Sequence, residues 1–234
     1  MLMKKYAIIV AGGSGSRMKS EIPKQFLPLG GKPVLLHTLE AFESAGNIEI
    51  ILVLPAFQIQ TWRNIVSEKG LSAAYRIVEG GETRFHSVRN GLATIPETDA
   101  LVAVHDGVRP LVTPALISRC YDAASRFGAA VTAVSLKDSI RKLITGDSSC
   151  PADREQFRLV QTPQAFRVSW MKSAFERPYK SSYTDCASVI EDAGYQVQLI
   201  EGDYRNIKIT TPEDLIVAEA LIKAGSEYQS ATRK

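Results

Sequence analysis

Short apolar runs alternate with longer segments of three-to-four-residue periodicity along most of this chain. Residues 6–10, 48–54, 76–78, 101–105 and 129–134 read as strands, and residues 34–44, 57–69, 85–94 and 113–127 between them as helices. Thr113-Pro114 supplies a capping hydroxyl followed by proline at the first helical position, and Thr211-Pro212 repeats that signal before a last helix over about 212–224. Regular alternation of this kind predicts an α/β fold, a Rossmann-like, mostly parallel sheet with helices on both faces. In such sheets ligands sit beyond the carboxyl ends of the strands. The segments following residues 10, 78 and 105 are therefore expected to share one cleft.

Residues 136–160 break the alternation. Ser139 to Ile144 reads as a strand, 145–149 as a turn, and Glu155 to Val160 as the returning strand of a hairpin. A lone hairpin is marginal unless it packs on something. The expected organisation is one domain over 1–225, in which 136–160 is either such a hairpin or a disordered surface loop, with a solvated, frayed tail over 226–234.

Composition narrows the class. The 234 residues are 45% hydrophobic and 23% charged, enough to bury a sizeable core, and the net charge of +3 does not by itself suggest a nucleic-acid binder. Cys120, Cys150 and Cys186 are widely spaced, with no CxxC pair, which points away from a metal or disulfide framework and toward a reducing compartment. The apolar run after Met1 to Lys5 stops at glycines without a cleavage pattern, and no segment has the length of a membrane span. A cytoplasmic protein without nucleic-acid or membrane partners is expected.

The most informative stretch is Val10-Ala11-Gly12-Gly13-Ser14-Gly15-Ser16-Arg17-Met18, trailed by Pro23-Lys24-Gln25. Its glycines let backbone N–H groups approach a ligand with no Cβ in the way, and Arg17 and Lys24 add two cations. Amides plus cations suit a polyphosphate; the plainer alternative is a glycine turn with solvated charges. A P-loop needs a Lys-Ser/Thr pair, which is missing. A dinucleotide fingerprint needs a small residue where Met18 stands, and an acid after the second strand, which instead ends in Leu54-Pro55.

Ala-Gly-Gly-x-Gly-x-Arg-Met followed by Pro-Lys-Gln resembles the signature of the sugar-nucleotide pyrophosphorylase and cytidylyltransferase superfamily. Four later segments narrow the resemblance: Gly80-Gly81-Glu82-Thr83-Arg84-Phe85-His86-Ser87-Val88, His105-Asp106-Gly107-Val108-Arg109-Pro110, Gln161-Thr162-Pro163-Gln164 and Asn206-Ile207-Lys208. In this order they are similar to the 2-C-methyl-D-erythritol 4-phosphate cytidylyltransferases of non-mevalonate isoprenoid synthesis, over roughly residues 4–224. The resemblance implies transfer of CMP from CTP to a polyol phosphate with release of pyrophosphate, on a homodimer joined through residues 136–160 as a protruding β-arm.

It also implies roles. Arg17, Lys24, Arg154 and Lys208 match the catalytic positions, with Arg17 on the β- and γ-phosphates, Lys24 at the α-phosphate, and Arg154 and Lys208 orienting the attacking phosphate. Because Arg154 lies on the arm, it is expected to serve the neighbouring subunit's site. Arg109, Ser139, Thr162 and Thr184 match positions that hold the sugar phosphate. Ala11, Gly12, Gly13, Ser14, Gly15, Gly81, Glu82, Ser87 and Gly107 fall in the nucleotide-binding segments, where backbone carbonyls of the 11–13 loop and of Gly80-Gly81 face the cytosine amino group, Ser87 the base carbonyl, and Arg84 orients its loop. Asp106, at a strand end, is the candidate ligand for Mg²⁺, or else a turn cap. His105, one step back, points the other way and reads as a packing residue. Two positions depart from the family pattern: Gly107-Val108 stands where Ala-Ala is frequent, and Ser139 where Thr is frequent.

The rival within the same chemistry is a ribitol 5-phosphate cytidylyltransferase, which shares the CTP half. Asp153-Arg154-Glu155 ahead of Gln161-Thr162-Pro163-Gln164 favours the isoprenoid enzyme. Outside that chemistry stand a nicotinamide oxidoreductase, which lacks its ribose-binding acid here, and a non-catalytic nucleotide module, which has no need of Lys24, Asp106, Arg154 and Lys208 together.

Overall fold

The computed structural model of the chain describes residues 3–13, 18, 22–71, 73–146 and 148–231. Ser14, Gly15 and Arg17 lie outside the described residues. The five expected strands form as β1 (Lys4–Val10), β4 (Ile48–Leu54), β5 (Tyr75–Glu79), β6 (Ala100–Asp106) and β7 (Ala129–Ser135). The expected helices form as α1 (Val34–Ser44), α2 (Ala56–Glu68), α3 (Arg84–Ala93), α4 (Pro114–Phe127) and α7 (Pro212–Ala231). A small hairpin, β2 (Pro28–Leu29) with β3 (Lys32–Pro33), precedes α1.

Period-two alternation in the strands explains why both sheet faces are covered. Tyr6 and Ile8 pack with Val102, Val104 and Val131 under α3, while Ala7 and Ile9 pack with Leu52 and Ala103 under α1, α2 and α4. Thr113 caps α4 by accepting from the Leu116 N–H at 3.2 Å, as its sequence position predicts. At α7 the capping runs the other way: the Asp214 carboxylate reaches back to the N–H groups of Thr210 and Thr211 at 2.7 and 2.8 Å.

Three features differ from expectation. The returning strand of the arm is β9 (Ser149–Ala152), which pairs with β8 (Ile140–Leu143) in register Ile140 to Ala152. Residues 158–160, assigned to the arm from sequence, instead open β10 (Arg158–Arg167), which runs antiparallel between β6 and β7 in the middle of the sheet. Pro163 and the polar residues around it hide this strand from a periodicity argument. The chain accommodates them by a register shift between Val160 and Gln164. Third, α7 continues to Ala231, so the backbone of 226–231 is helical where a frayed tail was expected. No proline interrupts this stretch, and propagation from a formed helix adds one hydrogen bond per residue fixed.

After β10 come α5 (Val168–Phe175), α6 (Cys186–Asp192) and β11 (Gln198–Glu201), giving the seven-stranded order β11-β7-β10-β6-β1-β4-β5. Apart from β10, its strands run parallel. From β1 the chain proceeds to β4 and β5, then crosses back to lay β6 on the other side of β1. The crevice at that reversal, between the ends of β1 and β6, is where such sheets bind ligands.

Candidate active site

Two adjoining cavities open at this crevice. The first, about 280 Å³, is lined by Ala11, Gly12 and Gly13 after β1, by Lys24 and Gln25, and by Gly81, Glu82, Thr83, Arg84 and Ser87 at the start of α3. The second, about 240 Å³, is lined by Arg109, the segment Val160 to Thr162, Gln164, Thr184 and Asp185. Arg84, Asp106 and Lys208 line both and form the wall between them.

Gly12 and Gly13 have no positive φ, and a Cβ on either would meet protein atoms no closer than 3.7 Å. Neither backbone conformation nor packing requires glycine there. Both line the first cavity, which fits a loop that a ligand approaches closely. Gly81 is different: its Cβ would fall 2.5 Å from that of His86, so the turn into α3 needs glycine for packing. Ser87 holds this turn, accepting from the Gly81 N–H at 3.1 Å. Gly107 stands behind the cavity, where a Cβ would press on Ala11 at 2.9 Å and Leu35 at 3.0 Å. Its place is close packing, in contrast to the ligand contact expected from sequence.

Asp106 ends β6, opposite Val10 in register. Lys208 Nζ stands 3.0 Å from its Oδ2, Arg109 Nε 3.5 Å from the same oxygen, and Arg84 Nη2 3.5 Å from Oδ1. Burial opposes ionisation of Asp106, but these three cations outweigh it and hold the carboxyl well below the usual carboxylate range. With Lys24 nearby, the wall carries more positive than negative charge and suits a pair of phosphorylated ligands. Arg84, expected to orient its own loop, reaches across instead, donating to Cys186 Sγ at 3.3 Å.

The described residues hold no cluster of three or more metal-ligating side chains. Asp106 alone is a poor cage, but Mg²⁺ is commonly held by one or two carboxylates together with substrate phosphates. The site therefore fits a Mg²⁺ that arrives with a polyphosphate.

His105 lies on the opposite face of β6, fully buried and tilted against Phe42 at 5.1 Å, as the alternation predicts. Burial pushes its pKa from 6.5 down to about 3. Between those values the unfolded chain binds a proton that the folded chain does not, so stability is lost as pH falls through that window. We expect His105→Phe to flatten the dependence of unfolding free energy on pH, by up to about 1.4 kcal/mol per pH unit. Urea unfolding at a series of pH values checks this; an unchanged slope would contradict it.

Ser139 and Arg154 do not line either cavity. Arg154 Nη1 donates to the Lys137 carbonyl at 2.7 Å, and its side chain remains half exposed. Sequence reasoning passed over the buried amides. Gln25 donates to the Ala11 carbonyl at 2.9 Å and to Gln58 Oε1 at 2.5 Å, fixing the glycine loop. Gln161, Gln164 and Asn206 are likewise buried beside the second cavity. All but Gln58 lie within motifs that carried the resemblance, yet no local pattern tells a buried glutamine from a surface one.

A glycine-lined nucleotide-sized cavity joined to a cation-ringed carboxylate, at the reversal of an α/β sheet, defines a nucleotidyltransferase. Residues 5–224 match the 2-C-methyl-D-erythritol 4-phosphate cytidylyltransferase family, and the chain belongs to it. It is 49% identical to the enzyme of that name from Bacteroides thetaiotaomicron, over 94% of this chain and 100% of the relative. Among solved structures it resembles the 4-diphosphocytidyl-2C-methyl-D-erythritol synthase of Anaerococcus prevotii, with TM-score 0.79 and 30% identity over 94% of this chain and 99% of that one. The Thermus thermophilus 2-C-methyl-D-erythritol 4-phosphate cytidylyltransferase gives TM-score 0.76 and 34% identity, over 94% of this chain and 100% of that one. The fold expected from sequence, α/β with a mostly parallel sheet, stands. No helix among the described residues is long and apolar enough to cross a membrane.

Proposed function

We propose that the first cavity binds CTP, that the second binds 2-C-methyl-D-erythritol 4-phosphate, and that the cytidylyl group passes between them. The observation that carries this reading is the wall Arg84, Asp106 and Lys208, common to both cavities. An oxygen of the acceptor phosphate forms a bond to the α-phosphorus of CTP. The bond from that phosphorus to the bridging oxygen breaks, and pyrophosphate leaves with the electron pair. The nucleophile is already an anion, so no general base is required. Positioning and charge neutralisation supply the catalysis.

Lys24 meets the α-phosphate from the glycine-loop side, Lys208 and Arg109 hold the acceptor phosphate from the other, and Arg17 takes the β- and γ-phosphates. Thr162 and Thr184 line the acceptor cavity and offer hydroxyls to the polyol. The 11–13 loop carbonyls and the Gly80-Gly81 turn read the cytosine amino group, with Ser87 on the base carbonyl and the backbone of Glu82 beside it. Asp106 would hold Mg²⁺, which neutralises phosphate charge when bound.

The arm supports a homodimer. Strands β8 and β9 make no extensive contact with other elements among the described residues, and Leu143 and Ile144 on it are 76% and 61% exposed. A second copy of this chain covers these side chains, and in that arrangement Ser139 and Arg154 enter the neighbouring subunit's acceptor cavity. The intracellular setting is the cytoplasm, where CTP is made.

Pyrophosphate release measured with four nucleotides and two polyol phosphates tests the reading. CTP with 2-C-methyl-D-erythritol 4-phosphate is expected to give the highest kcat/KM. The extra methyl group contributes about 1–3 kcal/mol of discrimination over ribitol 5-phosphate in a fitted pocket. A higher kcat/KM with ribitol 5-phosphate would transfer the assignment to that acceptor. UTP or GTP outperforming CTP would remove the base-reading role of the loops.

A further inference from the structure

Two buried glutamine side chains of β10 reach different segments, each forming one side of the acceptor cavity. Gln161, 7% exposed, donates from Nε2 to the Asp203 carbonyl at 2.8 Å, and its Oε1 accepts from the Asp203 N–H at 3.2 Å. The backbone makes room for it: a Cβ on Gly202 would fall 2.5 Å from Gln161 Oε1. Three residues beyond Asp203, Asn206 donates to the Thr162 carbonyl at 2.7 Å, and two residues further on stands Lys208.

Gln164, 1% exposed, does the equivalent on the other side. Its Nε2 donates to Asp185 Oδ2 at 2.8 Å, and its Oε1 accepts from the Ala187 N–H at 3.3 Å. Asp185 is the N-cap of α6 and follows Thr184 directly. Between the glutamines, Thr162 Oγ1 accepts from the Asp106 N–H at 3.1 Å.

Burying an amide side chain costs free energy unless its donor and acceptor are both satisfied. Apolar packing anchors the body of α6 and Ile209, since Cys186, Ala187, Val189, Ile190 and Ile209 are buried, but Thr184 and Lys208 beside them are exposed. Residues 176–182 are exposed throughout, as are Tyr204, Arg205 and Lys208. The glutamines therefore tie the polar stretches next to Thr184 and Lys208 to β10, beside β6.

We propose that Gln161 and Gln164 are positioning residues that set the placement of Lys208 and Thr184 on the two sides of the acceptor phosphate. This rests on the assignment of the second cavity to the acceptor. A misplacement of about 1 Å can cost up to a hundredfold in rate, so the effect should be measurable without contact to the ligand.

Gln161→Met and Gln164→Met keep volume and remove the hydrogen bonds. Each is expected to lower kcat/KM for 2-C-methyl-D-erythritol 4-phosphate at least about tenfold, with the KM for CTP changed less than about twofold. Gln164→Glu supplies a readout that a purely structural role would not move. Its carboxyl faces the Asp185 carboxylate, in a cavity also lined by Arg84, Arg109, Asp106 and Lys208, and can donate only when protonated. Two carboxyls sharing a proton raise a pKa. The ratio of its acceptor kcat/KM to that of the unaltered enzyme should therefore rise as pH is lowered.

Lys208→Ala and Thr184→Ala run in parallel. If these two impair acceptor kcat/KM while folded glutamine variants do not, the positioning role is wrong and the cavity assignment stands. If neither Lys208→Ala nor Thr184→Ala has an effect, the cavity assignment fails and the positioning role falls with it. Should the methionine variants not fold, the Gln164→Glu profile decides alone, and a pH-independent ratio overturns the proposal.

Discussion

Replacing Lys24 by alanine is expected to lower kcat about a hundredfold or more while changing the KM for CTP much less. The side chain is only 7% exposed and sits on a tight 3-10 turn, Lys24–Phe26, closed by the Phe26 N–H on the Pro23 carbonyl at 2.8 Å. The neighbouring Gln25 ties that turn to the Ala11 carbonyl. Lys24 Cε lies 3.7 Å from where a Cβ on Gly13 would stand, so the ammonium group is delivered to the glycine loop by a rigid backbone. A cation held there is worth most when negative charge moves onto the leaving pyrophosphate, and less in the ground state, where CTP has other partners. Steady-state kinetics in CTP and acceptor, with Lys24→Met as a variant that keeps most of the side-chain volume, measure the split. A near-normal kcat in a folded variant would remove Lys24 from the mechanism.

Mixing two inactive variants should restore activity. If Arg154 works in the neighbouring subunit, a dimer of one Lys24→Ala chain and one Arg154→Ala chain places both defects in the same site and leaves the other intact. Random pairing in a two-fold dimer makes half the dimers mixed, each with one working site, so recovery should approach about a quarter of the unaltered specific activity. The motive is geometric. Arg154 is absent from the lining of both cavities in its own chain, and its guanidinium is spent on the Lys137 carbonyl and, at 3.4 Å, on Glu155. Native mass spectrometry establishes that subunits have exchanged, and pyrophosphate release reads the activity. No recovery despite exchange would place the function of Arg154, if any, within its own chain.

Much of the fold was legible in the pattern of the chain. Short apolar runs and the helical segments between them named five strands of the central sheet and four of its helices close to their observed bounds. The glycine loop and Asp106 were expected at strand ends, and both line the crevice beside β1 and β6. The cause is local: periodicity and caps record which face of an element is buried and where it starts.

Which strand lies beside which is not recorded locally. Residues 158–167 carry proline, glutamine and threonine, and only the gap between β6 and β7 makes them a central antiparallel strand. The same gap took residues 158–160 away from the arm and left β9 as the partner of β8. Contacts across long separations are equally silent in the sequence. Arg84 meets Cys186 across 102 positions, and Lys208 meets Asp106 only because β10 and the loop after β11 close over the end of β6. The sequence by itself determined the layers, the loop chemistry and the strand end that carries Asp106. The tertiary structure alone decided the three cations around that carboxylate and the glutamines behind it, because a buried polar group is defined by partners that folding brings from elsewhere in the chain.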